Sequence, residues 1–471
     1  MLTWTLSDIV HYTHGTLLRG TTGTPISGVS TDTRTLQAGA LFIALRGEQM
    51  DGHQFVTMAL QRGAAAVLVS DVRAVLPASP VPTGATPGIV LVDDTLQALQ
   101  ALALARRQQF QGSVVAITGS NGKTTVKEMT AAVLQQRLRT YKVPGNLNNH
   151  IGVPLALLQL EATHQVAVLE MGMNHLGEIH RLCEIALPTI GVVTNIGLAH
   201  VGYLGSIERI QQAKGELIAA LGPSSIAIVN ADDPRTLALG QQAAGRLLTF
   251  GQGSTADIRG WIQADRGLDG LLGTLLLEHT EHTLFLPVPG AHQMLNALAA
   301  AAVGVALDIP AAEIIAGLQS YHGTYGRLAV KQARDGVRLI DDTYNASPQS
   351  MQAALQCLAR TRVDGQRLAV LGDMLELGES SPALHADVGT LVARSGVHQL
   401  VTFGPLAQHI AQGAQDAGMH AACIHRTSCY EDVLTVLKPL LHPGDVVLVK
   451  GSRGMAMERL VQVLAGHAGG E

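Results

Sequence analysis

The stretch "VVAITGSNGKTTVKEM", Val114 to Met129, constrains the fold of this chain more than any other. Val114 to Thr118 is short, β-branched and free of charge, which predicts a buried strand, whereas Val126, Met129 and Val133 recur at helical spacing. Gly119 to Thr124 is therefore a strand-to-helix turn. Its two glycines let backbone N–H groups close around an anion, and the helix N-terminus adds positive dipole. Lys123 can reach outer phosphates and the Thr124 hydroxyl can ligate magnesium. The usual pattern has a glycine five residues before the second one, but Ile117 stands there, so "GSNGKTT" is a shortened triphosphate loop. The plain alternative is a glycine turn beside a surface lysine.

Around that loop, apolar strands ending in polar residues or glycine alternate with helix-length segments. "VAVLEMG" (Val166 to Gly172), "IGVVTNIG" (Ile190 to Gly197) and "SIAIVNADD" (Ser225 to Asp233) predict a parallel, doubly wound sheet. After Arg327 the rhythm restarts with "RLIDD", "RLAVLGD", "HQLVTFG" and "DVVLVKGS", a further Rossmann-like domain. Before the loop, "PASPVPTGATPG" (Pro77 to Gly88) reads as a linker or long loop, "IVLVDD" as a strand and Leu96 to Arg107 as a helix. The expected fold is α/β in three domains. A small α/β N-terminal domain spans 1–94, a central P-loop-type doubly wound parallel sheet 95–325, and the Rossmann-like C-terminal domain 326–471.

Composition agrees with layered α/β structure, since 47% of the 471 residues are hydrophobic and only 15% are charged. A net charge of −5, with no block of Lys and Arg, argues against a nucleic-acid surface. "MLTWTLSDIVHY" lacks the basic start and long apolar core of a signal peptide, and the longest apolar run, Ala297 to Leu307, is too short to span a bilayer. Cys183, Cys357, Cys423 and Cys429 have neither metal nor disulfide spacing and read as small core residues or reduced thiols. A soluble cytoplasmic protein without membrane insertion is the expectation.

In such sheets ligands sit outside the carboxyl ends of the strands, and that rule sorts the polar residues. Glu170 ends "VAVLE" and His200 lies just past "VVTNIG", so both are expected on the sheet edge of Lys123 and Thr124. A carboxylate and an imidazole beside a triphosphate suggest metal ligands, although each alone has a plain reading, a solvated rim residue or a structural histidine. In "SIERIQQAKGELIAAL", Ile207, Ile210, Leu217 and Leu221 form one apolar stripe and Lys214 fills its missing step, so the lysine faces inward. A buried ammonium is costly, which implies a depressed pKa, a partner or chemical modification; the alternative is a lysine that snorkels out. Asn296, on the Ala-rich helix opened by "GAHQML", suits a purine edge, and Asp341 and Asp342 at the end of "LIDD" suit a ribose hydroxyl. Helix packing and turn chemistry are their plain readings.

Taken in order, "TGSNGKTTVKEM", "GNLNNHIGVPLALL", "LEMGMNHLGEI", "NIGLAHVGYLGS", "AKGEL", "NADDP", "DDTYNASP" and "GDMLELG" resemble the motifs of the Mur ligase family over essentially the whole chain. The first motif is shared across that family; "GNLNNHIGVP", with Asn146 and Asn149, "EMGMNHLGEI" and the Tyr344-Asn345 pair resemble its dipeptide-adding branch, and these four residues are candidate substrate contacts. The resemblance implies that Gly119, Ser120, Asn121, Gly122, Lys123, Thr124 and Thr125 hold ATP and that Thr124 and Glu170 bind one Mg2+. Glu170, His200 and a carbamylated Lys214 would serve a second Mg2+. Asn296 would approach adenine, Arg327 the γ-phosphate and Asp342 the ribose. "STDTRTLQAGALFIALRG" resembles the uridine-nucleotide module, with Asp32, Thr33 and Arg34 as contacts. Ser347 departs from the asparagine expected in "NASP" and receives no role.

The implied reaction is ATP-dependent amide formation. Phosphoryl transfer to the carboxylate of UDP-N-acetylmuramoyl-tripeptide gives an acyl phosphate, the D-alanyl-D-alanine amine attacks it, and phosphate leaves. Lys123 and magnesium offset the repulsion of two anions, with Lys123, Glu170, His200 and Lys214 as the catalytic set, in a monomer. Rival readings are another Mur-type ligase, such as a folylpolyglutamate synthase or an earlier peptide-adding enzyme, or a P-loop NTPase driving a partner. A non-catalytic nucleotide module fits the inward Lys214 and paired metal ligands poorly.

Overall fold

The structure, a computed structural model, describes residues 4–47, 50–75, 86–333 and 336–466. Residues 77–85 of the Pro/Gly-rich stretch lie outside the described residues. The chain divides into two compact units, one of residues 1–116, 138–173 and 177–190, the other of 117–137, 174–176 and 191–471.

The first unit contains a five-stranded sheet in the order Thr16–Arg19, Gly88–Leu91, Ala66–Val69, Leu41–Ile43, Val29–Ser30. Its pairings are parallel except at the Thr16–Arg19 edge. The middle strands are buried apolar runs, as a parallel sheet covered by helices requires. The helix Thr95–Gln109 starts where Asp94 accepts from the amides of Leu96 and Gln97 at 2.7 and 3.1 Å, satisfying two donors that the first turn leaves unpaired. Near its end Arg107 is buried, and its guanidinium donates to the carbonyls of Ala186, Phe110 and Leu187 at 2.8, 2.8 and 3.0 Å. Burial pushes the Arg107 pKa down from its usual range. The strand Val166–Glu170 pairs in parallel with Thr140–Lys142.

The second unit takes up the chain in the last residues of the strand Ser113–Thr118 and continues through the loop into the helix Lys123–Leu134. Ile226–Asn230, Arg246–Gly251 and the start of Ile258–Asp265 pair in parallel. The sheet then changes character, because Ile258–Asp265, Leu271–Leu277 and Thr280–Leu286 form an antiparallel meander. Parallel winding is thus only part of the central architecture. Toward the C-terminus a six-stranded sheet runs in the order Ala329–Gln332, Arg338–Asp342, Val446–Lys450, Arg367–Gly372, Gln399–Phe403, Ile424–Thr427. All of its pairings are parallel except the first. Successive side chains alternate between two cores, Ile340, Ala369, Leu371 and Leu448 facing one and Leu339, Leu368, Val370 and Val449 the other. This is the doubly wound Rossmann-like arrangement expected from the strand rhythm. Strand Val446–Lys450, last in sequence, lies between the first two parallel strands and sets Lys450 directly beside Asp342.

Arg107→Met should lower the midpoint of urea unfolding, since the buried carbonyls of Ala186 and Phe110 and the part-buried one of Leu187 lose their donor, at a cost of about 3 kcal/mol. Arg73→Met, at the exposed Arg73–Asp71 pair, should leave that midpoint unchanged. Equal midpoints for the Arg107 variant and the parent would refute the buried-donor account.

Candidate active site

The loop Gly119–Gly122 owes its shape to a close approach that only glycine permits. Gly119 (φ 147°) and Gly122 (φ 83°) both lie in the left-handed region. A Cβ on Gly119 would come within 1.9 Å of Thr194 Oγ1, and one on Gly122 within 2.4 Å of Asn296 Oδ1. The loop is then stapled to the neighbouring strand end. The Ser120 amide donates to the Asn195 carbonyl at 3.0 Å, the Asn121 amide to Asn195 Oδ1 at 2.9 Å, and Thr194 Oγ1 to the Asn121 carbonyl at 2.6 Å. Ser120 Oγ donates to the Gly197 carbonyl at 3.0 Å. Lys123 opens the helix and its Nζ donates to the Gly119 carbonyl at 2.7 Å, while Thr124 and Thr125 are buried in the first turn. With the Ser120 and Asn121 amides taken up by Asn195, the helix N-terminus that follows Gly122 is the part of the loop suited to an anion.

Beside the loop lies a cavity of about 270 Å³ lined by Asn121, Gly122, Asn195, His292, Asn296 and Asp342 among others. Asn296 is buried on the helix Gln293–Ala306, and its Nδ2 donates to Gln293 Oε1 at 2.9 Å. Burial pushes the His292 imidazole pKa down. Arg327 also lines the cavity; its Nη2 lies 3.4 Å from Thr124 Oγ1 and its guanidinium 4.0 Å from the centre of the Tyr344 ring. Loop and Arg327, 203 residues apart in sequence, therefore meet. Asp342 accepts from the Leu328 amide at 3.1 Å through one oxygen and from Lys450 Nζ through the other. Lys450, itself buried, also donates to the Asn345 carbonyl at 2.9 Å. Burial lowers the Lys450 pKa, against the raising effect of Asp342. Asp341 has a different part: fully buried, it pairs with Lys331 at 2.7 Å and accepts from Thr343 Oγ1.

Lys214 is buried at 1% exposure on the helix Ile207–Ala219, in the company of Ile210, Ala213, Leu217 and Ile218. Burial drives its pKa well below the usual lysine range, and the charge of Lys123 pushes the same way. The snorkelling alternative is thereby ruled out in this structure. His200 caps the short helix Val201–Leu204 in a left-handed conformation (φ 66°). Its Nδ1 is 2.8 Å from Glu376 Oε2, a close ion-pair contact in which the ring N–H does not point straight at the oxygen. That contact holds the Glu376 carboxyl below its usual range, with burial opposing. In the other unit, Glu170 is buried at its strand's carboxyl end and accepts from Asn148 Nδ2 at 2.8 Å. Among the described residues no three His, Cys, Asp or Glu side chains gather as a metal group.

The candidate substrate contacts divide. Asn149 Oδ1 caps the helix Gly152–Leu157 by accepting from Gly152 at 2.8 Å, and the Asn146 carbonyl accepts from the Asn148 amide at 2.7 Å. Neighbouring Asn148, which sequence reasoning passed over, is the one that reaches Glu170. Asp32 and Arg34 form a two-pronged pair at 2.6–3.0 Å, which lowers the Asp32 pKa, and Thr33 is buried with its carbonyl accepting from Arg62. Ser347, left without a role, has two: it caps the helix Pro348–Arg360 through the Ser350 amide and donates to Asn121 Oδ1 at 3.2 Å. Asn195, His292 and Lys450 were also missed. The strand-end rule could have found Asn195 and Lys450, since each directly ends or follows an apolar run. All four cysteines are free, with Cys183 and Cys357 in the core.

A glycine-shaped anion cradle at a strand end, opening on a cavity with an amide-bearing helix and a buried Asp–Lys pair, defines a P-loop-type nucleotide-binding α/β protein. The chain belongs to the Mur ligase family: the Mur ligase middle domain matches residues 117–304, the glutamate ligase domain 326–453, and the Mur ligase family catalytic domain 25–107. Among its relatives, the UDP-N-acetylmuramoyl-tripeptide–D-alanyl-D-alanine ligase of Bacillus subtilis is 38% identical over 467 residues, 98% of this chain and 99% of that one. A crystal structure of MurF from Acinetobacter baumannii superposes with a TM-score of 0.88 at 33% identity, covering 99% of both chains. The MurF ligase of Thermotoga maritima in complex with ADP gives 0.78 at 29% identity, covering 93% of this chain and 97% of that one.

Gly122→Ala should weaken ATP binding at least about tenfold, because the new methyl meets Asn296 and the residue must hold a positive φ. Calorimetric titration with ATP measures this. Adding Asn296→Ala removes the collision but not the backbone strain, so affinity should recover only in part.

Proposed function

We propose that this chain forms the amide bond between D-alanyl-D-alanine and the terminal carboxylate of UDP-N-acetylmuramoyl-tripeptide, consuming ATP, in peptidoglycan precursor synthesis. The carrying observation is the end-to-end relationship to ligases of that name, together with the glycine-shaped phosphate loop and adjoining cavity. The carboxylate takes the terminal phosphoryl group and becomes an acyl phosphate while ADP leaves. The dipeptide amine attacks the acyl carbon, the C–O bond to phosphate breaks, and the amine loses its proton as inorganic phosphate departs. Gly119 to Thr125 hold the triphosphate, Lys123 and Arg327 lower the charge on the transferring phosphoryl group, and Asn296 and Asp342 take the adenosine, Asp342 while tied to Lys450. Asp32, Thr33 and Arg34 take the uridine end, and Asn146, Asn149, Tyr344 and Asn345 contact the peptide substrates. The three-domain division at 94–95 and 325–326, a monomeric state and a cytoplasmic location complete the reading. Among the described residues no helix is long and apolar enough to cross a membrane.

The donor set suits Mg2+: the Thr124 hydroxyl, the Glu170 carboxylate and the His200 imidazole, with Lys214 as a carbamate. Magnesium, when bound, neutralises phosphate charge. The fit rests on Lys214, whose burial and nearness to the charge of Lys123 disfavour the ammonium and favour the neutral amine, the form that can add carbon dioxide and so turn a cation into an anion.

Mass analysis of products after incubation with ATP, Mg2+, UDP-muramoyl-tripeptide and D-alanyl-D-alanine should give the pentapeptide nucleotide, ADP and phosphate in equal amounts. Brisk ATP hydrolysis without peptide or amine would instead favour a partner-driving NTPase, and glutamate as the better acceptor a folylpolyglutamate synthase. Lys123→Ala and Glu170→Ala should each lower kcat/KM at least about a hundredfold, or about 3 kcal/mol, while circular dichroism stays unchanged.

Lys214→Ala should lose most activity and regain part of it with acetate, which brings a carboxylate into the vacated space. Lys214→Arg should fail with or without acetate, because a guanidinium stays charged and cannot be carbamylated. An active Arg variant would remove the carbamate.

A further inference from the structure

The segment after the strand Ile190–Val193 and the loop after the strand Arg367–Gly372 are locked together at one point, and both pay for it in backbone conformation. His200 (φ 66°) and Glu376 (φ 65°) are each left-handed residues with a side chain, which persist only where the surroundings fix them. The Gly202 amide donates to the Glu376 carbonyl at 2.9 Å. A Cβ on Gly202 would lie 2.6 Å from that same oxygen and 2.8 Å from the Gly378 nitrogen, so no other residue fits there without displacing the loop. The loop that carries Glu376 is itself pinned from behind: the Met374 amide donates to Nε2 of the fully buried His385 at 2.9 Å, and the Leu375 amide to Ser452 Oγ at 2.8 Å. Two left-handed residues, a glycine without room and a doubly anchored loop all converge on the contact between His200 Nδ1 and Glu376 Oε2, 2.8 Å apart.

We propose that Glu376 is a positioning residue for His200: its carboxylate, 2.8 Å from Nδ1, favours the tautomer that carries the proton on that nitrogen and leaves Nε2 as the lone pair. The inference rests on the ligase reading only in the use made of that lone pair. A histidine that ligates a cation through one nitrogen is oriented by an acceptor on the other, and loss of such an acceptor typically weakens the metal tenfold to a hundredfold. Because the acceptor comes from the C-terminal Rossmann-like sheet and the imidazole from the central one, the orientation of His200 depends on the docking of loop 373–378 against residues 200–204. An unassembled loop leaves the imidazole free to choose either tautomer.

The test uses the full chain. Nitrogen-15 spectra at pH 8, without nucleotide or metal and with His200 assigned through His200→Asn, should show the Nδ1–H tautomer in the parent and a mixture in Glu376→Ala. Glu376→Gln, whose amide oxygen still accepts, should retain the parent tautomer. Mn2+ binding in the presence of ATP, followed by electron paramagnetic resonance, should weaken tenfold or more in Glu376→Ala and less than threefold in Glu376→Gln, with KM for the tripeptide nucleotide unchanged in both. An Nε2–H tautomer in the parent, or equal Mn2+ affinity in the Ala variant and the parent, overturns the proposal. So does an equal loss in the Gln and Ala variants, which would trace the effect to charge or folding rather than to the acceptor. The ligase assay of the parent stands apart from all of these, so failure of the functional reading is told from failure of the positioning role.

Discussion

The attachment of the Gly119–Gly122 loop to the end of the next strand is the interaction on which the site depends. A run of free backbone amides at a helix N-terminus attracts anions wherever it occurs, but it selects a phosphate only if it cannot relax. Thr194, Asn195 and Gly197 supply that rigidity by hydrogen bonds at 2.6–3.0 Å to residues 120 and 121, and the missing Cβ atoms of Gly119 and Gly122 allow Thr194 and Asn296 to come close enough. Asn195 is therefore as much a part of the cradle as any residue of the motif itself. Ser347 adds a tie from the C-terminal sheet to Asn121, so the loop senses elements on two sides.

Burial of charge organises the rest. Lys450 sits at the end of a central strand with almost no solvent, a position that would be costly for an ammonium were Asp342 and the Asn345 carbonyl not there to receive it. Lys214 is buried as deeply, with the charge of Lys123 near it. Burial lowers the pKa of both lysines, but at Lys450 the Asp342 carboxylate opposes that shift, whereas at Lys214 the charge of Lys123 adds to it. Arg107 is a third case, spreading one buried guanidinium over three carbonyls to tie down the end of its helix.

How far these features can be read without coordinates depends on whether their cause is local. The strand-loop-helix at Val114–Met129 and the inward face of Lys214 are legible because periodicity of 2 or 3.6 residues is a property of adjacent positions. The C-terminal strands are legible for the same reason, each being a short apolar run buried on both faces. The meander Ile258–Leu286 is not, because its residues alternate only loosely between core and solvent and a bulge breaks the register between Ile262 and Ala264. The roles of Asn148 and Asn149 could not be apportioned either, since adjacent asparagines have the same chemistry and only the backbone decides which one caps a helix and which one meets Glu170.

By itself, then, the sequence determined the α/β class, the phosphate loop, the family and the inward lysine, all consequences of residue type and spacing along the chain. Tertiary structure alone decided which of these groups meet. Arg327 reaches Thr124 across 203 positions and Ser347 reaches Asn121 across 226, and strand Val446–Lys450 inserts beside Arg338–Asp342 to complete the Asp342–Lys450 pair. Strand order in a sheet is set by how helices and strands pack as whole elements, and no local pattern encodes it. His200 and Glu376 are the plainest case, two residues of separate motifs, 176 positions apart, whose partnership exists only because two sheets bring their connecting segments to the same place.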